Sequence, residues 1–249
     1  MAEPLEGRYR DVLFPSGHHE EVGLNALFDK AATYGVSAPD PSTARVLELG
    51  CAGGGHLLPM AMKYPDASFV GVDLAIHDPP WLPNLNFFEG DFASVNGQFD
   101  YVLAIGVFSW IGDPSVLMDA IARCLAPGGL AAVTFNVLPG WADWMRARDL
   151  MRFHTETFDS PQQQIEQARA ILGTLLKTGA NPELTRVAEG HHDAWIYHDW
   201  IAPHSEPIHL PDFIAQTPGF DVLGDVWNEQ MDDCVTGRKV RTALLQRGL

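Results

Sequence analysis

A glycine-rich turn between an apolar strand and an apolar helix most constrains how this chain can fold. Val46, Leu47 and Leu49 form a short run that is typical of a buried parallel strand. Small residues fill positions 50–55, and an apolar, helix-like segment follows at 57–61. Because glycine has no side chain, the backbone can approach a ligand closely, and the start of the helix offers free N–H groups. The pattern predicts a nucleotide-binding turn in an α/β sheet.

The acidic residue in this strand narrows the choice of ligand. Glu48 stands two residues before Gly50, at the end of the strand. A carboxylate at this place would repel the pyrophosphate of a dinucleotide, whereas it would attract a cationic amino-acid group. The turn therefore favours S-adenosylmethionine over NAD.

The charge of the chain argues against one class of partner. It has 16 Lys and Arg against 32 Asp and Glu, which gives a formal net charge of −16. Because a nucleic-acid partner requires a basic surface, we expect none. An acidic surface would suit a positively charged partner, although solubility alone also accounts for it.

The length of the chain and its cysteines limit the possible number of domains and disulfides. With 249 residues it fits one large domain or a domain with a sizeable insertion. Cys51, Cys124 and Cys234 are far apart and odd in number, so we expect no disulfide framework. No segment approaches the length of a membrane span, and the first ten residues contain no apolar run. We expect a cytoplasmic protein without membrane contact, and we leave its oligomeric state open.

Strand and helix patterns alternate along most of the chain. The predicted strands are residues 46–49, 68–73, 85–88, 99–105, 130–135, 220–226 and 239–245. The predicted helices are residues 20–34, the segment after the glycine turn, 114–125, a segment around 141–151, 161–175 and 210–217. Residues 75–84 contain three prolines and are expected to cross the sheet as an irregular loop.

Two carboxylates follow predicted strands at places that suit an adenosine group. Asp73 ends the second strand, 23 residues after Gly50. In a mononucleotide-binding βαβ unit, the carboxylate that binds the ribose hydroxyls stands at about this place. Asp91 follows the third strand, and it could accept a hydrogen bond from an adenine amino group while Phe92 lies near the ring. Without the preceding motifs, Asp91 would be better explained as a turn residue.

Together these elements resemble the class I S-adenosylmethionine-dependent methyltransferases. A narrower resemblance is to bacterial methyltransferases that carry a so-called regulatory domain, some of which methylate protein lysines. The segments that carry it are Glu48–Cys51, Leu57–Ala61, Gly106–Trp110, Asn136–Trp141, Gln167–Leu172 and Arg241–Leu245. This chain departs from the pattern in three ways: Ala52 stands where a glycine is usual, the second crossover helix is missing, and the chain is short.

The resemblance implies a fold, a domain plan and a cofactor. The fold is a Rossmann-like seven-stranded α/β methyltransferase sheet, with a helical insertion acting as a lid between strands five and six. One domain would span residues 1–249, with an N-terminal helical arm (1–42), a core (43–140 and 206–249) and the lid (141–205). The cofactor would be S-adenosylmethionine, leaving S-adenosylhomocysteine as the product. The implied cofactor-binding residues are Glu48, Gly50, Cys51, Ala52, Gly53, Asp73, Leu74, Asp91, Phe92, Ile105 and Gly106.

Methyl transfer requires the nucleophile to be held in line with the methyl group, away from water, and a proton to be removed where the acceptor has one. It needs no fixed triad. Our candidates for the catalytic residues are Tyr9, His19, Trp110 and His198, although packing is the simpler role for any one histidine. The group His191, His192, Asp193 and His198 has no familiar metal-ligand spacing, so we predict no metal.

Three hypotheses for function follow. The leading one is a methyltransferase acting on a peptide or protein side chain, which the narrower resemblance and the acidic charge favour. The second is an N- or O-methyltransferase of small molecules, such as natural products. The third is an NAD-dependent oxidoreductase or a catalytically idle cofactor-binding protein, against which Glu48 and the Pro-Gly-Gly turn at residues 127–129 argue.

Overall fold

Seven strands join into one mixed sheet whose order is β3-β2-β1-β4-β5-β7-β6. The structure is a computed structural model that describes residues 5–177, 192–226 and 240–247. The strands are β1 (Arg45–Leu49), β2 (Ser68–Asp73), β3 (Leu85–Glu89), β4 (Phe99–Ala104), β5 (Leu125–Asn136), β6 (Phe220–Asp225) and β7 (Val240–Arg247). Strands β1 to β5 pair in parallel, and β7 is antiparallel to both β5 and β6.

The order of the strands reverses between β1 and β4, which are neighbours in the sheet. In open α/β sheets, ligands bind beyond the carboxyl ends of the strands at such a reversal. The glycine-rich turn leaves β1 at this end, and residues 105–110 leave β4 beside it. The topology therefore places the two segments where a cofactor site is expected.

The structure describes eight α-helices, of which the second and third pack on one face of the sheet and the fourth and eighth on the other. In chain order they are α1 (Leu5–Asp11), α2 (Leu24–Thr33), α3 (Leu57–Lys63), α4 (Pro114–Cys124), α5 (Ala142–Thr155), α6 (Pro161–Lys177), α7 (Asp193–Trp195) and α8 (Leu210–Ala215). A π-helical turn, Ile196–Trp200, continues α7. Pro114 opens α4, and the carboxylate of Asp113 caps it by accepting the N–H of Ser115 at 3.0 Å, which is a standard helix start.

The core lies on the two faces of the sheet. On one face Leu27 of α2 and Met60 of α3 pack with Val46 of β1. On the other face Ile121 of α4 and Phe213 of α8 pack in a second cluster with the opposite side of the strands. Each such side chain contributes about 1.5–3 kcal/mol when fully buried. The predicted seven-stranded α/β fold class is confirmed.

The fifth strand begins earlier than the sequence predicts, at Leu125 rather than at Leu130. Leu125 pairs with Phe99, and the register then shifts before Tyr101 pairs with Leu130. The intervening Pro-Gly-Gly residues form an irregularity within the strand, with φ at +75° for Gly128. Residues that are typical of a turn thus form a bulge inside β5, because the segments before and after them both pair with β4.

Other element boundaries move by only a few residues. The predicted helix over 20–34 is a 3-10 turn, Glu20–Val22, followed by α2, with Gly23 between them. Residues 75–84 are all described and cross the sheet without a helix, as their prolines predict. The predicted start of the last strand, Lys239, lies outside the described residues.

The chain divides into two compact units. The first, called here the helical unit, comprises the described parts of Met1–Phe14 and Trp141–Ser205. The second, the sheet unit, comprises Pro15–Gly140 and the described parts of Glu206–Leu249. The expected arm of residues 1–42 is therefore shared between the units. A lid function for residues 141–205 stays a prediction.

The helical unit has its own core. Met151 of α5, Ile165 and Leu172 of α6, and Trp200 are buried together. The Trp200 ring stacks on that of Trp144, with centroids 4.8 Å apart. The hydroxyl of Ser160 accepts the N–H of Gln163 at 3.2 Å and so caps the start of α6. Across all described residues, no helix combines the length and the apolarity needed to cross a membrane.

Candidate functional site

The glycine-rich turn is folded back onto the end of β2. The N–H groups of Gly50 and Cys51 both donate to the carbonyl of Val72, at 2.7 and 3.2 Å. Gly50 has a φ of +76°, and a Cβ at this position would lie 2.4 Å from Cγ2 of Val107. Glycine is therefore required at position 50 for both conformation and space.

Two further residues of the turn have left-handed backbone. Gly54 has a φ of +79°, and a Cβ there would lie 2.2 Å from Cζ of Phe87. Ala52 has a φ of +47°, a conformation that costs an L-residue other than glycine roughly 1–2 kcal/mol. The alanine that replaces the usual glycine thus keeps the backbone conformation of a glycine.

Asp73 ties the end of β2 to this turn. One carboxylate oxygen accepts the N–H of Ala52 at 2.8 Å, and the other accepts the N–H of Ala75 at 3.0 Å. Burial raises the pKa of Asp73, while the backbone N–H groups and the nearby His77 act in the opposite direction. The structure therefore brings Asp73, the residue predicted to bind the ribose, into contact with the glycine-rich turn.

Glu48 is a buried acid whose side chain makes no hydrogen bond or ion pair with the described part of the chain. Its side chain is 3% exposed, and no described residue makes a hydrogen bond to its buried Oε2. Burial, followed by the charge of Asp73, raises the pKa of Glu48 to about 8. A cationic group beside Glu48 would restore its charge and give the oxygen a partner. The residues present therefore fit a ligand that carries an ammonium group, as S-adenosylmethionine does.

The remaining predicted cofactor residues follow the carboxyl ends of β1 to β4, at one end of the sheet. Cys51 is buried, and burial raises the pKa of its thiol. Ile105 and Gly106 leave β4, and Gly106 has a φ of +70°. Asp91 follows β3, and its carboxylate accepts the N–H of Ala93 at 2.7 Å. The half-buried Leu74 and Phe92 follow Asp73 and Asp91 directly in the chain. Adenine and methionine contacts by these residues stay predictions.

Two of the predicted catalytic residues meet in the helical unit. The rings of Tyr9 and His198 stack with centroids 4.4 Å apart and planes 5° apart. Nε2 of His198 lies at hydrogen-bond distance from the carbonyl of Val12. Because a carbonyl only accepts, Nε2 carries the proton, and Nδ1 is left as a buried acceptor that no described residue satisfies. Burial lowers the pKa of His198 to about 4, so its ring is neutral near pH 7.

The other two predicted catalytic residues belong to the sheet unit. His19 is largely exposed, and its backbone N–H donates to Nδ1 of His56 at 3.2 Å. Trp110 is half-buried at the end of a 3-10 turn that follows β4. Of the metal-ligand group considered above, His191 lies outside the described residues. Among the residues that are described, no three metal-ligating side chains cluster.

Sequence reasoning missed two residues that touch the turn. The hydroxyl of Ser16 accepts the N–H of Gly55. His77 lies on the other side, with its carbonyl oxygen 3.1 Å from the place that a Cβ of Gly53 would occupy. Ser16 lies 39 residues away in sequence, and no local pattern marks it. His77 could have been noticed as the one histidine in the loop of residues 75–84 that follows Asp73.

Comparison with known proteins identifies the family. A family model described as a methyltransferase domain matches residues 18–180. Protein RP789 of Rickettsia prowazekii is 29% identical over 289 aligned residues, covering 95% of this chain and 52% of that protein. Trans-aconitate 2-methyltransferase of Deinococcus radiodurans is 33% identical over 100 residues, covering 38% of this chain and 39% of that enzyme.

A solved structure shares the fold. PKMT2 from Rickettsia typhi, in complex with AdoHcy, superimposes with a TM-score of 0.78 at 23% identity, covering 94% of this chain and 55% of that one. The chain thus spans about half the length of RP789 and of PKMT2. It belongs to the methyltransferase domain family, and its fold is that of the class I S-adenosylmethionine-dependent methyltransferases.

Proposed function

We propose that this chain binds S-adenosylmethionine and transfers its methyl group to an acceptor nucleophile. The observation that carries the proposal is the buried carboxyl of Glu48, to whose Oε2 no described residue makes a hydrogen bond, beside a glycine turn that Asp73 holds in place. A buried acid without a partner is costly, and a cationic ligand offsets that cost. The pyrophosphate of a dinucleotide would instead add negative charge beside Glu48 and Asp73.

Each part of the cofactor has its own residues in this proposal. The bound cofactor supplies an activated methyl group on a sulfonium centre. Glu48 and the backbone of Gly50–Gly53 hold its amino-acid end, and Asp73 holds the ribose. Asp91 with Phe92 would hold the adenine, and Leu74, Ile105 and Gly106 would line the rest of the site.

For the acceptor, we infer a peptide or protein side chain. The motifs resemble bacterial methyltransferases of which some methylate protein lysines. The net charge of −16 suits a basic protein surface, because opposite charge speeds encounter. Both observations support a lysine-type amine as the nucleophile.

Tyr9, His19, Trp110 and His198 stay our candidates for residues that act on such a nucleophile. An amine attacks through its lone pair, so it must first lose the ammonium proton. With a pKa of about 4, His198 would hold little of that proton at neutral pH. The proton would then leave to solvent.

A small-molecule acceptor is the second candidate. Trans-aconitate 2-methyltransferase, whose name specifies a small acid, is 33% identical over 100 residues. An acceptor cavity that is too narrow for a peptide would favour this candidate.

The test is to incubate the purified chain with methyl-labelled S-adenosylmethionine and a cell extract, and then to separate macromolecules from small molecules. We expect label in the protein fraction, and label confined to small molecules would favour the second candidate. Asp73→Ala should weaken cofactor binding by more than about 1 kcal/mol, because charge-assisted hydrogen bonds are lost. Unchanged affinity would show that the ribose is placed wrongly.

A further inference from the structure

His77 lies against the same turn that Asp73 holds. Its Nε2 is 3.3 Å from the place that a Cβ of Gly53 would occupy. Gly53 directly follows Ala52, whose N–H binds the Asp73 carboxylate at 2.8 Å. The imidazole of His77 and the carboxylate of Asp73 therefore flank the same two residues of the turn.

The hydrogen-bonding capacity of the His77 ring is unused. Neither ring nitrogen has a hydrogen-bond partner within residues 5–177, 192–226 and 240–247, and Nδ1 is buried. Every imidazole carries at least one N–H donor, so this ring keeps a donor available beside the turn.

The two side chains also interact electrostatically. The charge of His77 acts to lower the pKa of Asp73, against the effect of burial. Such an effect requires the groups to be close and poorly screened. Because Asp73 binds Ala52 and the His77 ring borders Gly53, a ligand group bound to Asp73 would lie at the same turn as His77.

The chemistry of a ribose fits this pair. Each ribose hydroxyl donates one hydrogen bond and accepts others. Asp73 is an acceptor when ionised, and its oxygens already receive the N–H groups of Ala52 and Ala75, so it can bind a hydroxyl hydrogen but offers nothing to the hydroxyl oxygen. An imidazole N–H supplies the missing donor.

We propose that His77 is a cofactor-binding residue that shares the ribose hydroxyl pair with Asp73, an inference that rests on the proposed function. His77 donates to a hydroxyl oxygen while Asp73 accepts a hydroxyl hydrogen. This assignment gives a ligand role to a histidine in the proline-rich loop after β2.

The test is calorimetry with S-adenosylhomocysteine and its 2′-deoxy and 3′-deoxy analogues on four proteins: the unaltered chain, His77→Ala, His77→Gln and His209→Ala. His77→Ala should weaken binding of the parent ligand about 5-fold, the value of one neutral hydrogen bond. It should also shrink the penalty for one of the two deoxy analogues by a similar factor, because the hydroxyl and the ring then no longer interact. His77→Gln keeps an N–H donor and should recover part of the affinity.

His209→Ala is the matched control, since His209 is an exposed histidine of the same unit, and it should bind as the unaltered chain does. Equal losses for the parent ligand and both analogues in His77→Ala, or no loss at all, would overturn the assignment, and so would a lack of recovery in a folded His77→Gln. If the unaltered chain does not bind S-adenosylhomocysteine, the proposed function itself fails. Binding by the unaltered chain without coupling to His77 removes only this inference.

Discussion

Replacing Glu48 by Gln should stabilise the folded chain near neutral pH. Burial raises the pKa of Glu48 from 4.5 to about 8, so the folded chain holds a proton that the unfolded chain releases. The resulting stability is fully present below pH 4.5 and is lost as the pH rises toward 8, by about 1.4 kcal/mol per pH unit. At pH 7 the loss amounts to about 3 kcal/mol as an upper bound, and glutamine has no proton to lose.

Urea unfolding of the cofactor-free chain at pH 5, 6, 7 and 8 measures this effect. Relative to its value below pH 4.5, the free energy of unfolding of Glu48→Gln should exceed that of the unaltered chain by less than about 1 kcal/mol at pH 5 and by increasing amounts toward pH 8. Glu20→Gln is the control, because Glu20 is exposed, and it should follow the unaltered chain throughout. Parallel pH profiles for Glu48→Gln and the unaltered chain would refute the reasoning, since Glu48 would then be ionised when folded.

The proton on the Glu48 carboxyl should also affect cofactor binding. An ammonium group requires an ionised Glu48, so binding below pH 8 should release about one proton, seen in calorimetry as a heat that depends on the buffer. The Glu48→Gln variant should bind more weakly and release fewer protons. Equal proton release by both proteins would place the ammonium group elsewhere.

Three further substitutions test the structure around the turn and the sheet by urea unfolding. Ala52→Gly should raise the free energy of unfolding by about 1 kcal/mol, since it removes the cost of an alanine at a φ of +47°, less the greater entropy of unfolded glycine; no gain would mean that the backbone is relaxed there. Gly54→Ala should lower the free energy of unfolding by about 2 kcal/mol or more, because the new Cβ would lie 2.2 Å from Cζ of Phe87. Adding Phe87→Leu to the Gly54→Ala chain should restore part of that loss. Asp225→Ala should cost about 3–5 kcal/mol, because it leaves buried Arg241 without the carboxylate 3.2 Å away; a loss below about 1 kcal/mol would show that this pair is already compensated.

The sequence predicts the sheet well because each strand carries a local signal. Val46, Leu47 and Leu49 are apolar in a row, and Asp73 and Gly50 mark strand ends through charge and flexibility. The start of β5 was missed for a non-local reason. Pro127, Gly128 and Gly129 are turn residues by any local rule, and only pairing with the neighbouring strand β4 makes them a bulge inside a strand.

The site residues that lie at strand ends within a local sequence motif could be predicted. The contacts between segments that are distant in sequence could not. The contact between Ala52 and Asp73 follows from two adjacent parallel strands whose ends share one edge. The stacking of Tyr9 on His198 joins residues 189 positions apart, and Ser16 and His77 reach the turn from loops without periodicity. Such contacts depend on how loops pack, which no spacing rule encodes.

The central claim is that the turn after β1 holds S-adenosylmethionine, and competitive calorimetry on the purified chain tests it most directly. We expect S-adenosylmethionine and S-adenosylhomocysteine to bind with one site per chain, Asp73→Ala to weaken both, and NAD to produce no binding heat. Tight binding of NAD without binding of S-adenosylmethionine would contradict the account.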